Sequence, residues 1–248
     1  MKKILALVLV FALAVCASAA LAEEATVLTH EQYENAEVDS PVCVETYVQA
    51  TQSWWDNTIT VYAQSEDGAY FIYKLACSEE DAAKLVPGTK IRVTGTKIEW
   101  SGEVEIGDPT FEFVDGDPFI AEAEDVTALL GTDELAKHMN EKVAFKGVKV
   151  VGTKVEGQDG EFPFLYSYDG SGTREDNGVG ADLYFTVEAN GAQYSFTVES
   201  YLCGNDTDVY KAVEGLKIGD VIDCEGFLYW YNGANPHITG VTVVTPAE

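Results

Sequence analysis

The sequence predicts an all-β fold, two tandem Greek-key barrels with short helices, behind an N-terminal signal peptide. Three observations carry that reading. The 248 residues are 46% hydrophobic and 23% charged, enough for packed cores in two domains and unlike a disordered chain. Apolar residues alternate in short runs bounded by turn residues, the period of strands. A block of sequence recurs: Leu85–Gly95 aligns with Leu216–Gly226, and Gly88, Gly95 and Gly102 each find a partner 131 positions on, at Gly219, Gly226 and Gly233. Two copies are too few for a solenoid and read as tandem domains.

At the start of the chain, Lys2 and Lys3 precede an apolar run, Ile4–Val15, and Ala20-Leu21-Ala22 has the small-x-small form of a cleavage site. The run is too short to span a bilayer as a permanent helix. Leu13-Ala14-Val15-Cys16 approaches a lipobox, but Val15 stands where that motif needs a small residue. The expectation is cleavage near Ala22 and release outside the cell, with no membrane insertion. The full chain carries a formal charge of −27, and loss of two lysines with the leader makes it −29. Such a field repels phosphate backbones, so nucleic acid is disfavoured as a partner.

The first domain, residues 23–117, begins with a short helix carrying His30. Val42–Ala50 alternates as a strand, and Thr58–Ser65 and Ala69–Ala76 form a hairpin about Glu66-Asp67-Gly68. Ser78 opens a short helix whose acids sit at the positive end of its dipole, and Pro87-Gly88 ends it. Thr89–Ile98 and Glu103–Val114 complete five strands. Residues 112–124 are the linker. The second domain, residues 118–248, opens with a helix over Thr132–Met139, capped by Thr132. Its strands fall near Lys142–Val151, Asp182–Glu188, Ala192–Ser200, Val221–Trp230 and His237–Val244, with a helix near Asp206–Val213. A long acidic, glycine-rich loop, 155–181, follows its first strand.

Three strands, a helix and two strands is the order of an OB-fold barrel. With the fourth-strand segments Arg92-Val93-Thr94-Gly95 and Asp223-Cys224-Glu225-Gly226, the chain resembles secreted tandem OB-fold proteins of Gram-positive bacteria, whose activity is unassigned. That resemblance implies a fold and brings no catalytic motif.

Cys43, Cys77, Cys203 and Cys224 allow two disulfides in an exported chain or four buried thiols. His30, His138 and His237 lie in no nucleophile, zinc or phosphate-loop signature, so no catalytic residue and no cofactor are expected. Candidate ligand contacts are aromatic residues placed near loop tips, where rings can stack on sugars or anchor a protein. They are Trp54 and Trp55 in the first loop of domain one and Trp100 in its last. In domain two they are Tyr166 and Tyr168 in the long loop, and Trp230, Tyr231 and Asn232 in the last. Asp159, Asp169 and Asp176 are weak candidates for Ca²⁺ in a loop that otherwise reads as solvated. The expected function is a secreted, non-enzymatic binder of a neutral oligosaccharide or a protein surface. The alternatives are an adaptor for another exported protein or a carboxylate-dependent hydrolase.

Overall fold

A computed structural model describes residues 26–247; the expected signal peptide, 1–22, lies outside them. The fold is two tandem barrels. Barrel one is built from β1 (Pro41–Thr51), β2 (Thr58–Ser65), β3 (Gly68–Ala76), β4 (Lys90–Trp100) and β5 (Glu103–Phe113). They close in the order β1-β2-β3-β5-β4, with β3 and β5 parallel and β4 antiparallel to β1. Barrel two has β7 (Lys142–Val151), β9 (Leu183–Ala189), β10 (Ala192–Val198), β11 (Val221–Phe227) and β12 (His237–Thr245), flanked by β6 (Glu124–Asp125) and β8 (Leu165–Tyr166). The β7–β9 pairing closes it, and β10 and β12 form its parallel seam. Both barrels thus share one winding, as the repeat requires. Among the described residues, no helix is long and apolar enough to cross a membrane.

The helices α1 (His30–Asn35), α2 (Glu79–Ala82) and α3 (Asp208–Glu214) start at hydroxyl caps. Thr29 and Gln32 form a reciprocal capping box on α1, while Ser78 and Thr207 accept backbone N–H groups on α2 and α3. The helix expected over 132–139 is instead a 3₁₀ segment, Asp133–His138. The Thr132 hydroxyl turns back to donate to Leu129 O at 2.8 Å, so it does not cap the turn ahead of it.

Inward-facing strand residues fill each barrel: Val44, Val61, Ile72, Ile91 and Ile106 in one, and Phe145, Phe185, Phe196, Ile222 and Ile238 in the other. A third apolar cluster lies between the barrels, where Tyr62 and Phe71 meet Phe227. Polar bonds complete the junction. Trp230 N donates to Glu103 Oε2 at 2.7 Å, Asn232 N to Ser101 O at 2.7 Å, and Lys142 N to Gln64 Oε1 at 2.8 Å. Gln49 pins the linker, bonding Phe119 O and Ala121 N.

All four described cysteines are free thiols, so neither disulfide forms. In barrel one β2 lies between the strand that carries Cys43 and the strand that Cys77 follows. In barrel two Cys203 and Cys224 pack as small apolar side chains in one core cluster.

A cleft between the barrels

A concavity opens between the barrels, with a volume of about 1130 Å³. Each wall is a cross-strand row. On barrel one, β3, β5 and β4 bring Phe71, Glu105 and Ile98 side by side, because Phe71 pairs with Glu105 and Glu105 with Ile98. On barrel two, β8, β9, β10 and β12 align Leu165, Tyr184, Thr197 and His237. The parallel seams of both barrels therefore face the cleft. Strand alternation sends Tyr70 and Ile72 into barrel one while Phe71 and Tyr73 point out to the cleft.

The polar groups of the walls are unequal. His237 is buried, its ring stacked on Tyr229 at 4.3 Å between centroids. Gln52 donates to the Tyr62 oxygen, and the same hydroxyl is hydrogen-bonded to His237 Nδ1 at 2.6 Å. Burial drives the His237 pKa down to about 3, which keeps the ring neutral. Asp182 Oδ1 accepts the backbone N–H and hydroxyl of Ser200, and Glu199 Oε2 accepts the Leu202 N–H. Burial, with Asp182 nearby, raises Glu199 to about 7. Glu105 is raised to about 7 by burial alone. Among the described residues, no lysine or arginine lines the cleft.

The structure divides the residues singled out by sequence. Trp100, Tyr168 and Tyr231 line the cleft, Trp100 and Tyr231 being 5.2 Å apart between ring centroids. The others lie elsewhere. Trp54 packs against the core of barrel one and donates Nε1–H to Cys77 O at 3.1 Å. Trp55 is 76% exposed on its turn and outside the cleft. Tyr166 donates to Glu214 at 2.6 Å, a bond that ties the long loop to α3, and Arg174 pairs with the same carboxylate. Trp230 and Asn232 serve the barrel junction through their backbone N–H groups.

The loop 155–181 is laced by short-range bonds. Asp169 accepts from the Ser171 N–H and hydroxyl, and Asp176 from those of Thr173. Those carboxylates are occupied as turn caps, while Asp159 stands exposed, so the three aspartates make no calcium cage. Among the described residues, the only three-residue group with metal-ligand geometry is Glu124, His138 and Glu141, where His138 Nδ1 lies 2.7 Å from Glu141 Oε2.

Phe71, Tyr73, Glu105, Tyr184, Thr197 and His237 line the cleft from strands, away from the loop tips to which the sequence points. A signal was present: Tyr70-Phe71-Ile72 is apolar on both faces of its strand, so something must cover the outside of the barrel as well.

No family model and no curated protein matches the chain. Solved structures share its fold. The p204 HINb domain aligns with 81% of this chain and 95% of its own length at 11% identity and a TM-score of 0.35. A murine DNA binding protein bound with double-stranded DNA aligns over 84% and 100% at 10% identity and 0.34. A replication protein A heterotrimer bound to single-stranded DNA aligns over 83% and 52% at 11% identity and 0.30. At these values the likeness is one of fold alone. Two of these neighbours are solved with DNA, and the exclusion of nucleic acid drawn from charge is withdrawn. The expected oligosaccharide or protein-surface partner is withdrawn with it: of the loop residues that carried it, Trp100, Tyr168 and Tyr231 line the cleft, while Trp54, Trp55, Tyr166, Trp230 and Asn232 lie outside it.

Proposed function

We propose that this chain is an exported, non-enzymatic binding protein, of the secreted tandem OB-fold kind, that holds a small organic ligand between its barrels. The observation that carries this reading is the cleft itself. Its volume suits a small ligand, and rings on both walls offer apolar surface: Tyr73 on one side and Tyr184 on the other. Rigid strands position Tyr73 and Tyr184, which lowers the entropy cost of ordering the site on binding. The pattern of residues 1–22 supports export. Support for a non-catalytic role comes from the thiols and imidazoles. Burial raises the Cys203 thiol to about 12, and the buried His237 ring is kept neutral and engaged with Tyr62.

The test is titration with N-phenyl-1-naphthylamine, an uncharged dye that brightens in apolar surroundings. Saturable one-to-one binding is expected. Ser195→Trp, which places an indole in the cleft from β10, should abolish it, and Trp55→Ala should leave it unchanged. Binding that survives Ser195→Trp overturns the reading. Displacement of the dye by a single-stranded oligonucleotide overturns it too, in favour of a nucleic-acid ligand.

A further inference from the structure

We propose that Glu105 is the recognition carboxylate of the cleft and that the ligand is a protonated amine carried on a flat apolar body. This rests on the reading of the cleft as a small-molecule site. Glu105 is only 5% exposed and lines the cleft, yet no hydrogen bond or ion pair reaches its carboxylate from the described residues. Burial is accordingly the sole cause of its raised pKa. The neighbouring Asp182 and Glu199 differ, since backbone N–H groups already occupy them.

A largely buried carboxylate with no protein donor is costly, and a group that supplies both N–H bonds and positive charge removes that cost. An ammonium does both, and nothing basic in the lining competes with it. The surroundings suit the rest of such a ligand. Phe71 and Ile98 flank Glu105 in register and present apolar surface to the ligand's body.

The experiment is displacement of the uncharged dye by 2-phenylethylammonium and by its neutral counterpart 2-phenylethanol, above about pH 8 where Glu105 is ionised and the amine still charged. The ammonium should displace the dye at a concentration about tenfold lower or less. Glu105→Gln should erase that difference, and an unchanged far-UV circular dichroism spectrum verifies that the variant folds. Glu99→Gln, at the exposed rim, should keep the difference. Equal displacement by the two compounds, or a preference that survives Glu105→Gln, overturns the proposal and leaves the cleft reading standing. Failure of the dye to bind the wild type overturns both.

Discussion

Trp54 and Trp55 show how far one residue's role can be read from its neighbour. Adjacent positions on extended chain point to opposite sides, so one of the pair must face out. The structure selects Trp55 as the exposed ring and puts Trp54 against the barrel core, where its indole N–H reaches Cys77 O. Cysteines posed a choice that spacing left open, because a disulfide depends on the approach of two Cβ atoms. Their setting settles it in favour of thiols. Desolvation raises Cys77 above its ordinary value, Cys203 to about 12, and Cys224 higher still. Thiolate is the form that attacks, so these groups oxidise slowly in the folded protein. Alkylation in denaturant without reductant, read by intact mass, should add one group to each of Cys43, Cys77, Cys203 and Cys224. Loss of even one pair of adducts would contradict the free-thiol state.

At the scale of elements, the repeated glycines mark equivalent joints of the two barrels. Gly88 and Gly219 both take positive φ, at 91° and 101°, where the chain turns from helix into the fourth strand. Gly95 and Gly226 sit where that strand crosses the fifth. A Cβ on Gly95 would come within 2.6 Å of Ile106, and one on Gly226 within 2.1 Å of His237 O. The second obstacle is backbone, which cannot rotate aside. Gly226→Ala should therefore destabilise the chain by about 1–3 kcal/mol in urea unfolding, the range of overpacked sites. An unchanged midpoint would show that the β11–β12 seam yields. The repeat was visible in sequence because backbone approach admits only one residue type there. The 3₁₀ form of Asp133–His138 was not visible, because Thr132 has a choice of two partners and the surrounding fold decides between them.

Across the whole molecule, the junction between barrels concentrates buried acid. Burial raises Glu103 to about 8, and Glu105 and Glu199 to about 7, each from an ordinary 4.5. Between those values the folded chain retains protons that the unfolded chain releases, so stability falls as pH rises through that window. His237 acts in the opposite sense: its pKa of about 3 means stability is lost as pH falls from its ordinary 6.5. Three carboxyls oppose one imidazole where the two windows overlap, and the carboxyls prevail. The unfolding midpoint should be higher near pH 5 than near pH 8, and Glu103→Gln should flatten the slope. A midpoint that climbs over this interval would show that these acids are ionised in the fold. The net charge of −27 adds self-repulsion that works in the same direction.

Sequence alone determined the all-β class, the two-fold repeat, the order of the barrel strands, the hairpin about Glu66-Asp67-Gly68 and the Ser78 cap. Each depends on local periods, turn residues and backbone restrictions that are written within a few residues. Tertiary structure decided where the cleft lies. Its walls belong to strands far apart in the chain, and Phe71, Glu105, Tyr184 and His237 share a cavity only because β3, β5, β9 and β12 bring their outer faces together. Tertiary structure also decided which aromatics face it. Residues at loop tips are conspicuous in a sequence, but the faces of two barrels meet through packing between domains, which no local pattern records.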